Sequence, residues 1–127
     1  IIAIIPAALR AVLKSVTKYT NNTGNSSAAS AVTATTDYFF LLSEYEVFGS
    51  ATYANSNEAS KQAQYSYYSA GNSKVKYNNS ATSTAVYWWL RSPYANSSAS
   101  FVNVRTAGTV SFDKAYYSRG FAPGFCV

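Results

Sequence analysis

Two apolar blocks limit what this chain can fold into: Trp88-Trp89-Leu90-Arg91-Ser92-Pro93, and the closing Gly120-Phe121-Ala122-Pro123-Gly124-Phe125-Cys126-Val127. Both are rich enough in large side chains to require burial. The segment between them is dominated by Tyr, Ser, Asn and Ala, which is the alphabet of an adaptable contact surface rather than of a core. The blocks are expected to form a fixed frame, with Trp88, Trp89 and Phe125 in it, and the middle to bind.

At 127 residues the chain is read as one domain, 1–127. Its aromatic content is 17% and its charged content 12%, about half the usual fraction for the latter. The surface must therefore rely on neutral hydrogen bonding. A net charge of +5 is spread from Arg10 to Arg119 without a run, which argues for a mildly basic surface and against nucleic acid as the partner. An interleaving of Arg91, Arg105 and Arg119 with aromatic residues offers a weaker stacking-platform alternative.

Chemistry is restricted further. The sequence has no histidine, and its only acids are Asp37, Glu44, Glu46, Glu58 and Asp113. A nucleophile–His arrangement, a His/Cys metal site and a carboxylate-rich calcium site all lack their residues, and no Gly-rich phosphate loop is present. Glu44 and Glu46 are two apart and do not share a helix face. The chain is read as no enzyme, without metal or cofactor. The single Cys126 is expected to be a buried, small apolar residue. No apolar run reaches membrane-spanning length. The opening Ile1-Ile2-Ala3-Ile4-Ile5 is apolar like a signal-peptide core, but has neither a basic leader nor a small-residue cleavage site, and no Met precedes it. It reads as a chain cut from a longer polypeptide.

In chain order, Pro6 followed by Ala8, Leu9, Val12, Leu13 and Val16 predicts an amphipathic helix, with Arg10, Lys14 and Lys18 as a basic stripe. Asn21–Ser30 reads as a loop. Sequons at Asn21, Asn25, Asn78 and Asn96 are expected by chance in so Asn/Ser-rich a chain. Asp37–Leu42 predicts a strand buried on both faces. Ser43 and Glu46 have capping-box spacing for a short helix ending at Gly49. Asn57 is placed as the cap of a second helix, Glu58–Ser69, stopping near Gly71, with Tyr65, Tyr67 and Tyr68 covering the core edge. Asn72–Thr84 reads as loop, apart from an extended edge at Lys74 and Lys76.

Val86–Leu90 predicts a central strand ended by Pro93. Beyond Ser100 the alternation is clear. Val102, Val104, Val110 and Phe112 are expected inward on a hairpin turned at Ala107-Gly108, and a last, irregular strand covers Phe121–Val127. The outward set supplies the candidate ligand-binding residues. Tyr94, Asn96, Ser97, Ser98, Phe101 and Asn103 come from the first arm and its loop. Arg105, Ser111, Asp113, Tyr116, Tyr117 and Arg119 come from the second. Tyr and Arg anchor contacts, and Ser and Asn add compact hydrogen bonding. The element order gives an α+β class.

Several segments carry a family resemblance: Tyr87–Pro93, the Ser/Asn/Tyr-rich middle and Gly120–Val127, with Leu9–Val12, Asp37–Glu44, Glu46–Gly49 and Ala70–Lys74 upstream. Together they are similar to the C-type-lectin-fold variable proteins of diversity-generating retroelements in gut bacteria and their phages. The resemblance implies a C-type-lectin-like fold with two helices on a mostly antiparallel sheet and a C-terminal hairpin. Its opening strand would precede Ile1. It also implies a receptor-binding or adhesion role toward a cell-surface protein or glycan, an extracellular or virion (phage tail) location, and assembly as a homotrimer or other homo-oligomer. The mixture at Tyr94–Ser98, Asn103, Ser111, Asp113 and Tyr116–Ser118 matches adenine-directed diversification of Asn codons. The calcium-ligand motifs of sugar-binding C-type lectins are missing. The alternative is a structural subunit of an extracellular or virion assembly, packing through the same face.

Overall fold

Val102 and Val104 are completely buried, and the strand that carries them is the centre of the molecule. The computed structural model describes residues 4–127. Among these, four α-helices of at most five residues, a 3-10 turn at Ala29–Ala31 and seven strands make an α+β arrangement in which every paired strand is antiparallel. The apolar opening at Ile1–Ala3 lies outside the described residues.

The main sheet has the order β5 (Trp88–Pro93), β6 (Ser100–Val104), β7 (Val110–Lys114). Val104 lies opposite both Trp88 and Val110, and Val102 opposite Phe112, so one face collects the large apolar groups. Val47, Tyr68, Trp88 and Leu90 join the two valines in the core, with Leu42, Phe48 and Tyr53 at its margin. Burying each such side chain contributes roughly 1.5–3 kcal/mol. Two hairpins flank this sheet: β1 (Val16–Asn21) with β2 (Val32–Asp37), and β3 (Lys76–Asn78) with β4 (Ala81–Val86).

The helix expected from Pro6 to Val16 lasts one turn, α1 (Ala7–Arg10), and buries none of its residues. The turn that forms, Ala7-Ala8-Leu9-Arg10, offers little apolar surface, whereas the Val/Thr-rich residues 16–21, which include Val16 of the expected apolar face, pair with a β-branched strand, 32–37. The basic stripe goes with it, because Lys18 sits in β1 and its ammonium lies 2.5 Å from Glu46. The strand expected at Asp37–Leu42 is also not formed. Asp37 ends β2, and Tyr38–Leu42 runs irregularly, with Phe40 bridged to Gly124. The predicted loop at Asn72–Thr84 contains β3 and most of β4.

The α2 helix (Glu44–Phe48) follows its local signals. The Ser43 hydroxyl accepts the Glu46 N–H at 3.1 Å, the Glu46 carboxylate accepts the Ser43 N–H at 2.8 Å, and Gly49 stops the helix at φ +68°. The expected helix 58–69 is broken into α3 (Ser56–Ala59), capped by Asn55 rather than Asn57, and α4 (Ser66–Ser69). Between them Gln62 donates to the Tyr19 carbonyl, and the Tyr65 N–H reaches the Glu46 carbonyl. The Tyr65 bond takes its N–H out of the helical ladder, and the Gln62 side chain ties the break to β1.

The closing segment forms isolated bridges instead of a strand. Gly120 pairs with Trp88, Gly124 with Phe40 and Cys126 with Lys14, so it joins three distant parts of the chain. Cys126 is half-buried rather than buried, and Phe125 stays substantially exposed, tilted against Phe39 at 5.9 Å. No described helix is long and apolar enough to cross a membrane.

Candidate functional site

The pleat of the β6–β7 hairpin sorts the candidate residues. Phe101 lies opposite Asp113 and Asn103 opposite Ser111, all on the face turned away from Val102 and Val104. Phe101 is exposed there, but Asn103 and Ser111, expected outward, are buried. Asn103 is instead part of the support. Its amide donates to Asp113 Oδ2 at 2.8 Å, while its own carbonyl oxygen has no partner among the described residues. Arg119 sends Nε and Nη2 to the same carboxylate oxygen at 3.1 and 2.9 Å. Its guanidinium packs 4.4 Å from the centre of the Tyr87 ring and 5.1 Å from that of Tyr117, and Tyr116 lies beside Tyr117 at 4.8 Å. The Asp113–Arg119 pair thus holds the 114–119 loop against the sheet, leaving Tyr116 79% exposed at its tip.

Ser97 and Ser98 lie close to Phe101, in the same turn as Asn96. Their turn is fixed from outside, since the Asn25 N–H reaches the carbonyls of Tyr94 and Ser97 at 3.3 and 3.2 Å. Ser97, Ser98 and Phe101 share a shallow depression with Gly24 and Pro93. Next to it is an apolar cleft of about 370 Å³ bordered by Leu41, Trp89, Leu90, Arg91, Phe101 and Phe121.

Two candidates fall elsewhere. Tyr94 is on the opposite face in a cluster with Tyr53 and Phe112, at centroid distances of 5.5 and 4.3 Å, so it serves as scaffold. Phe112, expected inward, closes this cluster from a partly exposed position. Arg105 projects from the hairpin turn at the other end of β6. Phe121, read in the sequence as part of the frame, is exposed and borders the same cleft as Phe101. Pro123 and Gly124, close by, signal in the sequence that pairing is irregular there.

Three of the five acids are buried in a polar framework that composition did not reveal. Glu44 accepts the N–H groups of Thr52, Tyr53 and Ala54 at 2.7, 3.0 and 2.7 Å. Glu46 accepts from Lys18 and, at 3.2 Å, from Arg91. Glu58 accepts the Asn21 N–H at 2.8 Å and the Ser92 hydroxyl. Burial pushes the Glu58 carboxyl above its ordinary value of 4.5, and the hydrogen bonds from Ser92 and Asn21 oppose that without cancelling it. The Ser92 hydroxyl also accepts the Glu44 N–H at 3.0 Å, so the serine and both carboxylates are saturated and closed to solvent. Their chemistry is structural: they tie α2 and α3 to β1 and β5. A chain with few acids that spends Glu46 on a capping box was the available signal, and it marks only that one carboxylate.

One comparison bears on the whole chain. The model of a family described as a domain of unknown function, DUF6273, matches residues 1–127. The chain belongs to DUF6273. Neither the curated proteins nor the solved structures include a match. Within this DUF6273 domain, then, the buried carboxylates and the bridged C-terminal segment carry the frame. Around Phe101 the exposed aromatic residues include Tyr116, Tyr117 and Phe121, and Asn96 and Ser98 are exposed in the 94–99 turn.

Proposed function

We propose that this chain is a non-enzymatic recognition domain that binds a cell-surface ligand through Phe101, Tyr116, Tyr117 and the Asn96–Ser98 turn. The observation that carries this reading is the contrast between a saturated, buried framework and adjacent large aromatic side chains left in water. Tyr116 is 79% and Phe121 73% exposed on this side of the molecule. Exposed aromatic groups with a polar fringe are suited to partner contact, because two-torsion rings lose little entropy when they are covered. The scaffold is read as a C-type-lectin-like fold of the variable-protein type, displayed on a cell or virion surface. The α+β class, the short helices and the presentation of the C-terminal hairpin support that reading.

The test is binding of the labelled domain to intact bacterial cells and to arrays of surface proteins and glycans. Alanine at Phe101, Tyr116 and Tyr117 together is expected to reduce binding by at least about tenfold, since exposed aromatic anchors at contacts are each worth about 1–2 kcal/mol. Thermal unfolding should remain within a few degrees of the parent. Loss of folding in these variants, or undiminished binding, would overturn the proposal. If the variants instead break up an oligomer seen by light scattering and no surface binds the parent, the face is a packing surface between subunits. The encoding DNA provides a separate check: a neighbouring reverse transcriptase and a near-copy of the last third, differing only at adenines, is the expected arrangement.

A further inference from the structure

A second and larger cleft, of about 690 Å³, opens on the other side of Gly120, between the β3–β4 hairpin and residues 118–122. Its walls are held by backbone. The Trp89 N–H donates to the Gly120 carbonyl at 2.9 Å, and the Gly120 N–H to the Tyr87 carbonyl at 2.8 Å. Gly120 permits this approach, because a Cβ there would stand 3.2 Å from the Tyr87 oxygen. On the facing side the Trp88 indole N–H donates to the Lys74 carbonyl at 2.9 Å, anchoring the chain that enters β3.

The lining has three chemical parts. The first is cationic: Lys76 and Arg119 border the cleft and no acid does. The Lys76 ammonium lies 5.5 Å from the centre of the Trp88 ring and pairs with no carboxylate among the described residues. Arg119 engages Asp113 through Nε and Nη2, and its Nη1 has no hydrogen-bond partner among the described residues. The second is aromatic: Tyr77, 56% exposed, and Phe121 stand on opposite rims. The third is a neutral fringe of Asn79, Thr106 and Ser118, whose side chains make no hydrogen bond among the described residues.

The geometry points to this cleft as a binding site for an acidic sugar, a carboxylated and polyhydroxylated ring. The carboxylate answers Lys76 and the open Arg119 nitrogen in charge-assisted hydrogen bonds. The apolar face of the ring lies on Tyr77 or Phe121, and the hydroxyls satisfy the amide and hydroxyl fringe. An aromatic carboxylate would leave that fringe unmatched, and a neutral sugar would make no use of the cations. Phe121 borders both openings, but Tyr116 and Tyr117, at the tip of the proposed recognition face, do not line this cleft, so the two can be tested separately.

Calorimetric titration of the intact chain with D-glucuronate, N-acetylneuraminate, D-glucose and benzoate tests it. At least one of the two acids is expected to bind about tenfold or more tightly than glucose and benzoate, and the pair distinguishes a uronic from a sialic acid site. Lys76→Gln should weaken that binding about tenfold, in keeping with the loss of one charge-assisted contact. Tyr77→Ala should weaken it too, and Tyr116→Ala should leave it unchanged. Circular dichroism checks that each variant folds, and Lys76→Arg, which keeps the charge, should restore binding. The site is overturned if neither acid binds, if glucose or benzoate binds as well, if folded Lys76→Gln binds like the parent, or if Tyr116→Ala abolishes binding.

Discussion

Glu44 holds three successive backbone N–H groups with one carboxylate, and nothing else in reach accepts them. Removing it leaves buried donors unpaired, so Glu44→Ala should lower stability by about 3 kcal/mol, with Glu44→Gln less damaging because one acceptor oxygen remains. Urea denaturation measures both. Glu58 gives a pH signature of the opposite kind to a salt-bridged acid. Its folded-state pKa is raised, chiefly by burial, so the folded state holds the proton more firmly than the unfolded chain. Its contribution therefore becomes more favourable as pH falls through the raised value toward 4.5, and the penalty is complete above it. Glu58→Gln should remove this dependence, and the difference in unfolding free energy between parent and variant should shift toward the variant as pH rises through that window. A flat difference across the window would contradict the assignment. These carboxylates were not legible as buried groups, because acids belong on surfaces unless partners are supplied, and their partners are the amides of the Thr52–Ala54 loop for Glu44 and the Asn21 amide and Ser92 hydroxyl for Glu58.

Helix α2 was legible to the residue, since its start and stop are local chemistry: Ser43 and Glu46 at one end, Gly49 at the other. Gly49→Ala should cost about 1–2 kcal/mol, combining left-handed strain with the crowding of Gln64, whose side-chain oxygen lies 2.7 Å from the new Cβ position. A melting-temperature series over Gly49→Ala and Gly71→Ala separates the two effects, because Gly71 has the positive φ with nothing near it. The split between α3 and α4 was not legible. Gln62 reads as a good helix former, and only the position of the Tyr19 carbonyl in space makes it a connector. The hairpin β6–β7 was legible in its alternation and turn, but not in which of its faces was covered. Asn103 and Ser111 alternate outward as expected, yet are buried, Asn103 bonded to the carboxylate that Arg119 holds.

Over the whole molecule, tolerance to substitution should divide between frame and surface. Trp88, fully buried, should cost about 3–5 kcal/mol as alanine, whereas changes among exposed Asn96, Ser98, Tyr116 and Ser118 should stay within about 0.5 kcal/mol. A thermal-denaturation panel across these positions would show two separate groups; a continuous spread would mean that the exposed loop supports the fold. The division was visible in composition, as two apolar blocks around a polar aromatic middle, although Tyr94 and Phe121 exchanged sides once placed in space. The bridges from residues 120–126 to Trp88, Phe40 and Lys14 also bear on synthesis. On the ribosome, Lys14 and Phe40 must wait for partners far downstream, so the nascent domain should remain protease-sensitive until residues 120–126 have emerged, and then become resistant in a single step.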